Sequence, residues 1–140
     1  MKIVTIATAC TLMLMLSGCF KSEAPKCSDT DVKGVVQDLY KDSLQKLSNN
    51  PMAAIFMGAL PKEIVSISAV RPVAYDEKVN LRSCKAEAHF DNNVTANIEY
   101  TVQLNEENQE EFYVELDTDF IEGLMQQSMM QEMFNSSESK

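Results

Sequence analysis

Apolar positions change spacing twice along this chain, and each change marks a change of element. Val32, Val35, Val36, Leu39, Tyr40, Leu44 and Leu47 recur in steps of three and four, with Lys33, Asp38, Lys41, Asp42 and Lys46 on the other faces. That period predicts an amphipathic helix with one face in a core. Ser28 and Asp29 are N-cap candidates, Asp31 suits the positive end of the helix dipole, and Ser48-Asn49-Asn50-Pro51 ends the run. Met52 to Leu60, apolar and bounded by Pro51 and Pro61, reads as one or two helical turns on the core, with an exposed lid or partner loop as the alternative.

The spacing then falls to two. Glu63 to Tyr75 carries Ile64, Val65, Ile67, Ala69, Val70 and Val73, and Pro72 within it predicts a strand near a sheet edge. After a turn at Asp76-Glu77-Lys78, Cys84, Ala86, Ala88 and Phe90 alternate with Ser83, Lys85, Glu87 and His89. Asp91-Asn92-Asn93 turns the chain again. Val94, Ala96, Ile98, Tyr100, Val102 and Leu104 then alternate with polar partners in the clearest strand pattern of the sequence. Glu106 to Glu110 is a polar loop, and Phe112, Val114 and Leu116 make a fourth strand.

Helical spacing returns after Asp117-Thr118-Asp119, which offers a cap. Phe120, Ile121, Leu124, Met125, Met129, Met133 and Phe134 follow, and residues 135–140 read as a disordered polar tail. Helix, short helix, four-strand meander, helix is an α+β order, with an N-terminal and a C-terminal helix packed on one face of an antiparallel sheet. Residues 28–134 form the single domain and 19–27 a tether. The arrangement is similar to the curved-sheet cystatin-like and NTF2-like folds, a resemblance of architecture that covers no motif and carries no function.

The first residues belong to none of this. Met1-Lys2 precedes an uncharged run from Ile3 to Leu16 that closes on Ser17-Gly18-Cys19. A basic start, an apolar stretch and small residues at the end make a leader, and about 14 apolar residues fall short of the roughly 20 that a bilayer span needs. Leu16-Ser17-Gly18-Cys19 resembles the lipobox of bacterial lipoproteins. The resemblance implies cleavage after residue 18, diacylglycerol on the Cys19 thiol and an amide-linked acyl chain in many Gram-negative species. Two or three chains, at about 0.8 kcal/mol per buried CH₂, anchor a domain stably. Under the sorting rule such lipoproteins follow, Phe20 in place of Asp implies the outer membrane, inner leaflet. Lys21-Ser22 is a pair that some lineages read as an inner-membrane retention signal.

Loss of 1–18 removes Lys2, leaving 11 basic against 21 acidic side chains. From Asp91 onward there are twelve acidic residues, and Lys140 is the lone base. This disfavours nucleic acid and anionic headgroups, and suits a basic protein partner or simple solubility. Cys10 leaves with the leader and Cys19 takes the lipid, so Cys27 and Cys84 remain. In an oxidising compartment two such thiols are expected to form a disulfide, whereas a metal pair or redox dithiol lacks the Cys-x-x-Cys spacing.

Chemistry is sparse. His89, the one histidine, falls on the expected solvent face between Glu87 and Asp91, where a surface role is expected. With no second histidine, the expectation excludes both a His-based triad and a multi-histidine zinc site. Glu106, Glu107, Glu110 and Glu111 lack the pattern of a calcium loop. No Gly-x-Ser-x-Gly or phosphate-binding loop occurs, so neither an enzyme nor a cofactor is expected. Methionine is the oddity: Met125, Met129, Met130 and Met133 crowd the last helix. Core packing is the first reading, a partner-binding face the second and a soft Cu(I) site the third. The expectation is a lipid-anchored, non-catalytic envelope protein that binds another protein or serves as an accessory module facing the periplasm. A copper-binding lipoprotein is the alternative.

Overall fold

The computed structural model describes residues 22–137. The leader, Cys19 and the last three residues lie outside that range. Helix α1 (Thr30–Ser48) and the short α2 (Pro51–Ala54) precede strands β1 (Ile64–Asp76), β2 (Leu81–Phe90), β3 (Thr95–Leu104) and β4 (Phe112–Leu116), and α3 (Phe120–Ser137) ends the chain. The strands form one antiparallel sheet in the order β1-β2-β3-β4, an α+β arrangement with the helices on its N- and C-terminal sides. No described helix is long and apolar enough to cross a membrane.

The α1 stripe is buried through Val32, Val36, Tyr40 and Leu44, over a sheet face built from Cys84, Ala86, Ala88, Phe90, Ile98, Tyr100 and Val102. Alanine at 86 and 88 leaves room there for the larger helix side chains. Asp29 occupies the N-cap position of α1, yet its carboxylate accepts from the Lys26 amide (3.0 Å) and not from the helix. Asn50 caps α2 by accepting from the Met52 amide, with Pro51 at the first helical position.

Strand β1 departs from simple alternation. Between Ile64 and Asp76 it takes twelve steps where β2 takes nine from Phe90 to Leu81, and three register shifts absorb the difference. Each bulge inserts one residue and flips the alternation, so Ile64, Ile67 and Val70 share the core face at a spacing of three. Val65, Ala69 and Val73, read from the sequence as part of one apolar run, are exposed as a result. Ala69 sits in the middle bulge with φ 48°, a left-handed conformation usually left to Gly, Asn or Asp. Pro72 costs nothing here, because β1 is an edge strand.

Two tyrosines fix the helical layer to the sheet layer. The buried Tyr40 hydroxyl donates to the Pro61 carbonyl (2.7 Å) and the ring packs edge-on against Phe90, 5.2 Å between centroids. The buried Tyr100 hydroxyl donates to the Cys27 carbonyl (2.7 Å). Burial pushes the Tyr100 phenol up to about 12, and burial together with the nearby Asp91 carboxylate raises Tyr40 further still. Both are neutral donors, and a phenolate could make neither bond.

Two outcomes follow from this packing. Above the ordinary phenol value of about 10 the unfolded chain gives up protons that the folded chain keeps. The stability owed to these hydroxyls should therefore be whole below pH 10 and decline as the pH climbs toward 12, measured by urea unfolding. Tyr40→Phe with Tyr100→Phe should flatten that decline and lower neutral-pH stability by about 1 kcal/mol per lost bond. Separately, Gly34 lies inside α1 with nothing within 4 Å of the position a Cβ would take. Gly34→Ala should raise stability by about 0.5–1 kcal/mol in the same assay.

Candidate functional site

Cys27 and Cys84 are joined as a disulfide, their Cα atoms 5.8 Å apart across a separation of 57. The bond ties the chain just ahead of α1 to the second strand. Around it the stretch ahead of Cys27 is stitched to the sheet. Asn80 accepts from the Ala24 amide (3.2 Å) and donates to the Ser22 carbonyl (2.8 Å), while the Arg82 guanidinium donates to the carbonyls of Ala24 and Pro25 (both 3.2 Å). Arg82 also lies 4.6 Å over the Tyr75 ring, whose hydroxyl donates to Asn80. Of the stretch 19–27 read as a tether, residues 22–27 thus belong to the folded body, with Ala24 buried. Sequence reasoning found the cysteines but missed Asn80 and Arg82, because their partners are backbone carbonyls and amides that leave no residue-type signal. Asn80 does carry one sign, a left-handed φ of 54° in the β1–β2 turn.

His89 has company that the sequence reading did not foresee. The Ser68 hydroxyl lies 2.6 Å from its Nε2, and a Glu87 oxygen lies 3.3 Å from the same nitrogen. A serine nucleophile with a relay needs the carboxylate on the opposite ring nitrogen, Nδ1, to fix the tautomer. Here hydroxyl and carboxylate compete for one atom, which makes a cross-strand polar cluster on the outer sheet face. The glutamates of the β3–β4 loop are exposed and held by Asn105, which accepts from the Glu107 amide (2.9 Å) and donates to Glu111 (3.1 Å). Among the described residues no group of three or more His, Cys, Asp or Glu is placed to hold a metal ion.

The methionines of α3 divide. Met125 is half-buried against the core, whereas Met129, Met130, Met133 and Phe134 are 43, 57, 72 and 71 % exposed. All nine residues from 129 to 137 are exposed, including Asn135–Ser137, which continue the helix into the stretch read as tail. A helical step of about 100° explains the division. Ile121, Leu124 and Ser128, the buried positions, share an arc of about 60°. On that side the next residues are Gln131, Glu132 and Asn135. The four exposed apolar side chains span an arc of about 140° centred on the opposite side. The helix therefore reverses its apolar face at Ser128: the first half turns it inward, the second half outward. Core packing, the first reading of the cluster, holds for Met125 alone.

No family model, curated protein or solved structure matches this chain. What can be said of its function rests on its own geometry.

The two halves of α3 are linked by a ridge. Ile121, Met125, Met129 and Met133 follow one another at steps of four, the row that packs into a neighbouring helix's grooves. At its start this ridge walls an open groove of about 580 Å³ between α1 and α3, lined also by Lys46, Leu47, Asn50 and Glu122. Beside the groove, α2 and the turn after it leave Met52 and Ile55 exposed. The Pro-bounded segment is accordingly mixed, with Met57 and Leu60 packed on the core and Met52 and Ile55 facing out.

On the chain-entropy model, closing a loop of this length stabilises by about 4 kcal/mol. Replacing Cys27 and Cys84 together by Ala should remove that amount in urea unfolding. Arg82→Ala, which leaves the disulfide in place, should cost about 1–3 kcal/mol and speed proteolysis between Ser22 and Lys26.

Proposed function

We propose that this chain is a lipid-anchored, non-catalytic protein of a bacterial envelope, held through Cys19 in the inner leaflet of the outer membrane and facing the periplasm, where it binds another protein through the second half of α3. The address rests on the leader and on Leu16-Ser17-Gly18-Cys19. The contact role is carried by one observation, the outward apolar face of Met129, Met130, Met133 and Phe134. A helix that ended its work in the core would have no use for that face; one that enters a partner's groove needs anchors at steps of three and four, as Met130, Met133 and Phe134 provide. Between Lys85 and Lys140 there is no Lys or Arg, so an apolar surface with a basic rim is the matching chemistry.

The stitched segment supports the same picture. If Cys19 carries the lipid, Ser22 is three positions from the anchor, within about 10 Å of it even at full extension. The sheet end bearing Asn80 and Arg82 is then the end nearest the bilayer. Phe120 packs 6.4 Å from Phe90, at the far end of β2, so α3 starts at the end away from the lipid. Exposed thioethers one turn apart, at Met129 and Met133, also favour the soft-metal reading as the alternative.

The test combines two readouts in the native envelope. Mass spectrometry should find Cys19 acylated, and Cys19→Ser should leave the leader attached. A photo-reactive residue at Phe134 should give a protein adduct, and one at Thr101 on the outer sheet face none. An unlipidated Cys19 would remove the anchor, and no adduct from Phe134 would remove the contact role. Replacing Met129, Met130 and Met133 by Leu separates the alternative, because adduct formation should survive where Cu(I) binding would not.

A further inference from the structure

We infer that the outward half of α3 is a site of reversible oxidation: a peroxide converts Met129, Met130 and Met133 to sulfoxides, and the polar face that results releases the protein partner. This rests on the protein-binding reading above and adds its regulation.

The choice of side chain points to sulfur. In the first half of α3 the fully buried apolar residues, Ile121 and Leu124, are hydrocarbons. In the second half three of the four outward apolar residues are methionine, where leucine would supply the same anchors at the same helical steps. Access divides the methionines in the same way. Every residue of α3 from Met129 to Ser137 is exposed, whereas Met57 and Met125 are half-buried against the core. Oxygen transfer to a thioether follows exposure, so the outer three react and the two on the core are shielded. Hydrogen peroxide carries no charge, and the acidic surface from Asp91 onward does not hold it off as it would an anionic oxidant.

The reaction asks nothing of the protein but access. The sulfur attacks one oxygen of hydrogen peroxide, and an S–O bond forms as the O–O bond breaks. The departing hydroxide takes the proton of the transferred hydroxyl and leaves as water. The sulfur gives up two electrons, which a thiol-dependent sulfoxide reductase returns. The consequence lies in the new oxygen. A sulfoxide is a strong hydrogen-bond acceptor, and an apolar groove strips it of water with no donor to replace what is lost. Met129, Met130 and Met133 cover the outward arc, so three new oxygens leave Phe134 as its one apolar side chain.

The full chain in its native envelope, with the photo-reactive residue at Phe134, tests this by treatment with hydrogen peroxide. Peptide mapping should find oxygen first on Met129, Met130 and Met133, and on Met52, which is 72 % exposed on α2, and last on Met57 and Met125. The protein adduct should fall several-fold and return after a sulfoxide reductase and a thiol are added. It should persist through peroxide when Met129, Met130 and Met133 are all replaced by Leu, and Met52→Leu should give no such protection. The purified chain, oxidised to the same extent, should keep its midpoint in urea. Four results would overturn the inference and leave the protein-binding reading standing: Met57 and Met125 oxidised as fast as the outer three, an adduct that survives full oxidation, equal loss in the Leu variant or protection by Met52→Leu, and a lowered midpoint. An untreated envelope that gives no adduct would overturn both.

Discussion

The structure turns on the residue where the chain enters its first helix. Cys27 is bonded covalently to β2 through Cys84, and its carbonyl takes the Tyr100 hydroxyl from β3. Three segments far apart in sequence are thereby fixed within one turn of the start of α1. The helix cannot then slide along the sheet, and Tyr40 is delivered to Phe90 six residues farther along β2, a distance of about 20 Å. A described body of little more than a hundred residues gains modest stability from its core alone, so one covalent closure is a large share of the whole.

How much of this the sequence foretold depends on whether the information was local. The α1 stripe, the alternation in β2 and β3 and the order of elements were legible because each repeats a single period over ten or more residues. The pairing of Cys27 with Cys84 was legible by a different route, from the expected compartment and the absence of other thiols. β1 was legible as a strand, but its inward residues were not. Three bulges displace the alternation, and their signal is a spacing of three that a reader looking for two passes over. What fixes a bulge is the register against β2, and register is a property of two strands together.

The helix at the other end was misread for a related reason. Met125, Met129 and Met133 are spaced by four, and four steps of about 100° overshoot a full turn by about 40°. Three such steps carry a residue from the buried side of α3 nearly to the opposite side. Counting helical steps thus grouped the methionines into one face when they form a ramp from inside to outside. The polar residues would have disclosed this. Gln126 and Gln127 lie outward in the first half, while in the second Gln131, Glu132 and Asn135, themselves exposed, fall on the side that Ile121, Leu124 and Ser128 occupy in the first, so polar and apolar sides exchange at Ser128.

The stitched entry and the start of the reversed helix lie at opposite ends of the sheet, and that separation matters for the proposed anchoring. A flexible tether would let any face meet the membrane. Bonds from Asn80 and Arg82 to the backbone of Ser22 through Pro25 remove most of that freedom, so under the proposed anchoring the end nearest the lipid would be set by the fold and not by linker entropy. The β3–β4 loop emerges at this same end, since the Leu104 amide bonds to the Asn80 carbonyl, and its glutamates oppose close approach to an anionic surface. In the proposed arrangement, tethering would draw this end in and charge would hold it off. The apolar ramp on α3, starting at the far end and lacking any cation of its own, would in the proposed arrangement face the aqueous space in which another protein could reach it.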